Sequence, residues 1–495
     1  MDSNVKSYVS RFVVPFYFEK AEKGYGSLRE YFMDDYLHRK EVGLPNSARW
    51  VEEGFWEKDS KEEGHQPEMD LYSYLPQLFK ESKKEENEQK NNIGTSFILK
   101  CDGRLFELGY EYEGETLSIL CEHLGVMIFK NGIGFLWFEM KFRKLPGIDA
   151  YVSFVHLFKE LSRSHDMLFP KKIWFDSEKK ESYYEDFSLG IWIALLLNAE
   201  DHGIRFWAER SISLHDKRIA VYNQSKSEKI ELSKNLVSGA KSIAVPDKAL
   251  LFQYVFVEGL EQDPQRGLLF RLANGYSRMY VPPQDVDVYS PFGNVHFYCS
   301  KGGMSCVVND SDSTNTEFFE KQFRSRMIRD YFFIYLFLSY QSFSCTQYAR
   351  LLTYIPAEET YVGKQRNLEA LESLNSQINL FLVKSVFETV SHIEHQNGVY
   401  RYGKRMLSME ENYQSLTAGL EAMKSIEIEK KDRKLNHALI VFGFMVVFSA
   451  LIDALNLVDW IGRGITEGMT IWHGAVTIVI LGLAVYLVYV LSKNR

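Results

Sequence analysis

Apolar positions along the chain fall into three successive patterns, and each predicts a different kind of element. Over residues 1–345 short β-type runs alternate with helical ones. Phe97–Lys100 and Leu105–Tyr112 flank Cys101-Asp102-Gly103, while Val126–Lys130 and Ile133–Met140 flank Asn131-Gly132. Both arrangements predict β-hairpins, because Asp-Gly and Asn-Gly supply the positive φ that tight hairpin turns require. Trp192–Asn198 and Glu317–Phe343 carry helical spacing. Within the second of these, the apolar run Tyr331–Phe343 is too short to cross a bilayer and predicts a buried helix. Lys80–Asn92 is charge-dense and predicts a solvated loop. The mixture predicts an α+β sensor-like domain over 1–345 and not a repeated βαβ unit.

The second pattern predicts a helical stalk over 346–435. From about Lys364 to Asn436 there is no proline, and Glu, Lys, Gln, Leu and Met are abundant. An unbroken helix of that length would extend about 110 Å at 1.5 Å per residue. Met406, Met409, Tyr413, Leu416, Leu420 and Met423 are spaced alternately by three and four, as in helices packing at a shallow angle. Gly398 and Gly403 allow a bend or break just before this run.

The third pattern, over 436–495, predicts a two-helix transmembrane hairpin. Spans 438–458 and 471–491 each match the roughly 20 residues needed for a ~30 Å hydrocarbon core. Lys430, Lys431, Arg433 and Lys434 precede the first span and Lys493 and Arg495 follow the second, whereas Asp459–Thr470 between them holds only Arg463 among basic residues. The positive-inside bias then places both termini in the cytoplasm, with the chain multi-pass in the cell inner membrane. Trp460 and Trp472 fall where interfacial aromatics belong, and MDSNVKSYVS at the start has no signal-type apolar run. A single helical stripe links Leu439, Phe442, Val446, Ser449, Asp453 and Asn456. An Asp within a span costs roughly 2.5–3.5 kcal/mol near its centre, so it normally faces a bundle interior or water. Several copies around an axis would therefore form a pore, wet at Ser449, Asp453 and Asn456 and constricted by dewetting at Leu439, Phe442 and Val446. The alternatives are an Asp453 at the interface, five residues before the span ends, and apolar residues that simply meet lipid or a neighbouring helix.

Composition narrows the functional classes. The net charge is -8, which argues against a partner of duplex nucleic acid, since phosphate neutralisation needs a cationic field. Five widely spaced cysteines form neither a disulfide framework nor a zinc pattern. No P-loop, G-x-S-x-G or H-E-x-x-H occurs, so neither an enzyme nor a cofactor is predicted and no metal site is assigned.

A large cytoplasmic domain, a stalk entering a first span, a short outer loop, a second span and a basic C-terminus together resemble the CorA family of divalent-cation channels. The resemblance covers Lys364–Arg495 most strongly and implies a homopentamer whose first spans line the pore. The family's Gly-Met-Asn signature is not at the end of span one, which closes on Asn456-Leu457-Val458; the chain's Gly-Met is Gly468-Met469-Thr470. Divergent relatives without that signature include membrane effectors of type III CRISPR systems. Val14-Pro15-Phe16-Tyr17-Phe18 and Gly132-Ile133-Gly134-Phe135-Leu136-Trp137 look similar to that branch. This resemblance implies an antiviral ion channel gated by a nucleotide second messenger of the S-adenosylmethionine-AMP type. A divergent Mg²⁺ transporter, and a membrane-anchored scaffold or enzyme, are the alternatives. A phosphate-bearing ligand needs cations beside an aromatic platform. Two sequence clusters offer that mixture: Trp137, Arg143 and Lys144, and Arg205, Trp207 and Arg210.

Overall fold

A computed structural model describes residues 5–18, 21–33, 48–55, 70–79, 92–100, 105–163, 167–174, 181–184, 188–213, 220–223, 228–231, 242–260, 262–310, 315–354, 363–422, 435–436 and 439–443. The described chain is a mixed α+β fold, and it divides into two compact units, Met1–Cys345 with Leu382–Asn412, and Thr346–Phe381 with Tyr413–Arg495.

The first unit is organised by a sheet. Its strands in the first half are β1 (Val5–Phe18), β2 (Arg49–Glu52), β3 (Gly94–Lys100), β4 (Phe106–Tyr112), β5 (Glu115–Phe129), β6 (Ile133–Phe142), β7 (Leu168–Trp174), β8 (Glu181–Tyr184) and β9 (Ile204–Phe206). Then come β10 (Glu209–Ser213), β11 (Ala220–Asn223), β12 (Glu228–Glu231), β13 (Ser242–Pro246), β14 (Leu250–Val257), β15 (Tyr289–Phe292), β16 (Val295–Ser300) and β17 (Gly303–Asn309). The main path runs β12-β11-β8-β7-β4-β5-β6-β1-β14-β17-β16-β15, with β3 on β5, β2 on β3 and β9 on β1, while β10 and β13 pair separately. Pairing is antiparallel except between β14 and β17.

Eight α-helices accompany these strands among the described residues: α1 (Ala21–Met33), α2 (Tyr74–Gln77), α3 (Ile148–Phe158), α4 (Leu189–Leu196), α5 (Gln262–Asn274), α6 (Phe332–Tyr354), α7 (Gly363–Ser385) and α8 (Glu394–Met406), besides the short turn Arg324–Arg326. Two π-helical turns, Phe318–Phe323 and Met327–Tyr331, lead into α6.

The central strands β1 and β6 are apolar on both faces because both faces are covered. On one face Phe12 stacks on Phe138 and meets Phe154 and Phe158 of α3, and Leu268, Leu269 and Leu272 of α5 join the same core. On the other face α6 lies across the sheet: Phe332 packs on Trp137 and Phe252, Tyr340 stacks on Phe129 at 3.9 Å, and Phe343 meets Phe135. Tyr331–Phe343 is buried helix apart from partly exposed Ser342 and Phe343 and the last π-turn residue, Tyr331. Fully burying such side chains contributes about 1.5–3 kcal/mol each, which holds α6 to the sheet without help from helix propensity.

The two predicted hairpins resolve differently. Asn131-Gly132 joins β5 to β6 as expected, with Gly132 at φ 89°. The strands around Cys101-Asp102-Gly103 do not pair with each other. β4 pairs with the first half of β5 and β3 with its second half. Strand β5 is 15 residues long and accepts both neighbours end to end, a non-local arrangement that a local turn signal cannot reveal.

The helix-forming stretch is interrupted. The chain from Gly363 is not one helix: α7 ends at Ser385, α8 begins at Glu394, and the intervening residues return to the first unit, where Tyr72 N–H donates to the Val390 carbonyl at 3.0 Å. Buried Asn397 fixes this reversal, since its Oδ1 accepts from the Val390 and Ser391 amides and its Nδ2 donates to the Ser391 carbonyl. Gly398 and Gly403 lie inside α8, not at a break. A Cβ at Gly398 would collide with Tyr289, and one at Gly403 with Leu338, so both glycines serve close approach. A turn at Ser408, with φ 51°, follows α8. In the second unit Tyr348 packs on Phe381 and Phe381 on Tyr413, and Leu416 and Leu420 of the periodic run are buried.

Among the described residues no helix is long and apolar enough to cross a membrane. Spans 438–458 and 471–491 lie outside the described residues except for 439–443, which are helical and expose Leu439, Ile440 and Phe442. Val446, Ser449, Asp453 and Asn456 all lie outside them.

Candidate functional site

Two buried charges of the central strands are register partners: Arg11 of β1 lies opposite Glu139 of β6. Both are buried, at 2% and 3% exposure. Arg11 Nε and Nη2 each reach Glu139 Oε2 at 2.8 Å. Its remaining Nη1 donates at 2.7 Å to the carbonyl of Ile328, within the π turn Met327–Tyr331. The guanidinium sits 4.7 Å from the Trp137 ring centroid and 4.4 Å from that of Phe332, a cation–π enclosure that compensates part of the lost hydration. Burial alone would raise the Glu139 carboxyl, but Arg11, His123 and Arg324 outweigh it and hold the group well below the ordinary carboxylate range. Burial lowers Arg11, and Glu139 opposes that shift.

A cavity of about 290 Å³ opens beside this pair, lined by Lys6, Ser7, Glu139, Lys141, Glu320, Lys321 and Arg324 among others. Three irregularities of the backbone shape it. The β1–β14 register shifts between Val5 and Ser7, leaving Lys6 as a bulged residue. The β5–β6 register shifts between Cys121 and His123, leaving Glu122 bulged opposite the strand that carries Lys141. The third is the π turn Phe318–Phe323, which supplies Glu320 and Lys321. Bulges re-aim side chains and π turns cost helix regularity, and both concentrate at functional sites.

Each cation of the cavity has an acidic neighbour: Lys6 pairs with Glu258 at 3.1 Å, Lys141 with Glu122 at 3.2 Å and Lys321 with Glu317 at 3.0 Å. Arg324 is held differently. Its Nε donates to the Tyr8 carbonyl at 3.1 Å, while its Nη2 stands 3.6 Å from Glu139 Oε1, too far for a hydrogen bond.

A second buried polar network adjoins the π turn Met327–Tyr331. Asp330 is fully buried, accepts from Gln396 Nε2 at 3.3 Å through Oδ2, and has no hydrogen-bond partner at Oδ1 among the described residues. Arg326 pairs with Asp70 at 2.9 Å, and the Tyr331 hydroxyl meets His395 Nδ1 at 2.8 Å. Burial pushes the Asp330 carboxyl up to about 6, against the pull of Arg329 and Arg326. Its folded value lies above its unfolded one, so its stabilising contribution is complete below about pH 4 and is lost as the pH rises through about 6. Asp330→Asn should therefore raise neutral-pH stability by on the order of 1–3 kcal/mol and flatten the stability profile between roughly pH 4 and 6. Denaturant titration across that range checks both effects.

The structure does not gather the sequence-predicted ligand residues into one site. Trp137 is 1% exposed, enclosed by Arg11, Phe332 and Phe55 and set against Gly125, so its indole offers no platform for a ligand. Arg143 pairs with Glu107 at 2.7 Å, and Lys144 is exposed beyond the end of β6. Arg205 is a register partner of Tyr17 and pairs with Glu209, Trp207 packs edge-on against Tyr17 and Phe343, and Arg210 is exposed on β10. Tyr8 marks the Arg143 end of β1, because its hydroxyl accepts from the Phe142 amide, and Tyr17 marks the other end. About nine residues of strand, roughly 30 Å at ~3.3 Å per residue, therefore separate Arg143 from Arg205, although Trp137 lies opposite Val13 between them. The sequence did hold a signal for the observed cavity: Arg11 in VSRFVVPF and Glu139 in FLWFEMKF are charges set in predominantly apolar strand runs.

Among the described residues no group of three or more His, Cys, Asp or Glu side chains is placed to hold a metal ion. Comparisons with protein families, with curated proteins and with solved structures return no match.

Proposed function

We propose that the chain is a subunit of an oligomeric, ligand-gated ion channel of the inner membrane, CorA-like in plan. Its α+β unit senses a ligand, and both termini face the cytoplasm. The observation that carries this reading is the stripe Leu439, Phe442, Val446, Ser449, Asp453 and Asn456, apolar inward and polar outward, in the first of two span-length apolar segments with basic flanks. The helical residues 439–443 leave Leu439, Ile440 and Phe442 uncovered, an apolar surface suited to lipid or to further copies of the chain. The CRISPR-associated branch, with its nucleotide messenger, is favoured over a Mg²⁺ transporter because the first span does not end in Gly-Met-Asn.

Gating energy must come from a difference in ligand affinity between closed and open states. The full chain reconstituted in liposomes tests the reading. Asp453→Ala should change cation-over-anion selectivity severalfold while leaving particle mass multimeric. Unchanged selectivity removes Asp453 from a pore, and a single-copy particle contradicts the oligomeric channel altogether.

A further inference from the structure

We propose that the cavity between β1, β6 and the π turn Phe318–Phe323 binds a compact polyanion of the phosphate or pyrophosphate class. The proposal stands on the cavity's own chemistry and goes beyond the channel reading. Four cations converge from three separate segments: Lys6 from the β1 bulge, Lys141 from β6, and Lys321 and Arg324 from the helix entrance. Glu139 also lines the cavity, but its charge is consumed by Arg11 behind it. Glu320 is then the one uncompensated carboxylate of the lining. Lys141 and Lys321 are largely exposed, and their ion pairs are weakened by solvent, so redirecting them to an anion costs little. Arg324 already has its Nε tied to the Tyr8 carbonyl, and none of its Nη groups makes a hydrogen bond among the described residues. That leaves a planar fork, fixed at its root, of the kind that matches phosphoryl oxygens.

Size and lining set the class of ligand. A volume of 290 Å³ holds roughly ten waters at ~30 Å³ each. Tyr8 is the one aromatic residue of the lining, and its ring packs against Phe142 and Tyr151 in the core. No ring face is therefore presented to stack a nucleobase, and recognition falls on charge and oxygen geometry. An anion seated here would draw Arg324 toward itself. Because Arg324 is carried by the segment leading into α6, occupancy would be felt along that helix.

Isothermal titration calorimetry of the full chain in detergent micelles tests the site, with inorganic phosphate, pyrophosphate and ADP as titrants. Pyrophosphate should bind the unaltered chain, and the pair Lys141→Glu with Lys321→Glu should weaken it by about tenfold or more through charge reversal at two lining positions. Glu320→Gln should strengthen it by about threefold, an effect in the opposite direction that a merely destabilised fold cannot produce. Arg401→Glu, an exposed cation of α8, should leave affinity unchanged. The proposal is overturned if neither phosphate nor pyrophosphate binds, if the double variant binds as the unaltered chain does, or if ADP binds far more tightly than pyrophosphate, which would mean that a base is recognised. Each readout is binding and none is ion flux, so its failure leaves the channel reading standing, and a flux failure leaves the anion site standing.

Discussion

Arg11→Met should destabilise the first unit by about 3–5 kcal/mol, because it strands the Glu139 carboxylate in an apolar interior and leaves the Ile328 carbonyl without its guanidinium donor. Arg324, at 3.6 Å, can recover only part of that loss. The pH dependence should change sign. In the unaltered chain the folded Glu139 lies below its unfolded value, so its contribution is present above the ordinary carboxylate range and is lost only in strong acid. In the variant, burial is opposed only by His123 and Arg324, so the folded value should rise above the unfolded one, and the deficit should shrink as the pH falls and the group becomes neutral. Replacing both partners with apolar residues, Arg11→Met with Glu139→Leu, should restore most of the stability, since a buried ion pair is worth little more than a well-packed apolar one. Chemical denaturation of the three proteins at two pH values checks all of this. Equal destabilisation by the single and double replacements would contradict the assignment of the loss to a stranded charge.

The sequence was legible where structure is local. The β5–β6 turn follows from Asn131-Gly132, and the burial of Tyr331–Phe343 follows from an apolar run too short for a membrane. It was illegible where tertiary contacts override local pattern. A helix-forming composition hid the reversal at 386–393, because buried Asn397 supplies its hydrogen bonds and no Gly or Pro announces it. Gly398 and Gly403 suggested a bend and instead make room for Tyr289 and Leu338. The aromatic–cation clusters suggested a stacking site, yet Trp137 is buried in the middle of β6 while Arg143, paired with Glu107, and Lys144 lie beyond the strand's end. The cavity draws Lys6, Lys141 and Arg324 from positions more than a hundred residues apart; the β1–β6 pairing and the hydrogen bond of Arg324 to the Tyr8 carbonyl bring them together.

The largest functional effect should come from the apolar ring. If Leu439, Phe442 and Val446 close a hydrated path by dewetting, one hydroxyl per subunit at Val446 should keep that path wet without ligand. Asp453 and Asn456, further out on the same stripe, would then conduct continuously. A membrane anchor predicts the contrary, because Val→Ser in a lipid-facing segment creates no conduit. Ion efflux from vesicles carrying the full chain, unaltered or with Val446→Ser and without added ligand, is the most direct measurement. Vesicles with the unaltered chain should stay tight, and those with the variant should leak on the order of tenfold faster. Equal, background-level efflux from both, with the two proteins inserted to the same extent, would contradict it.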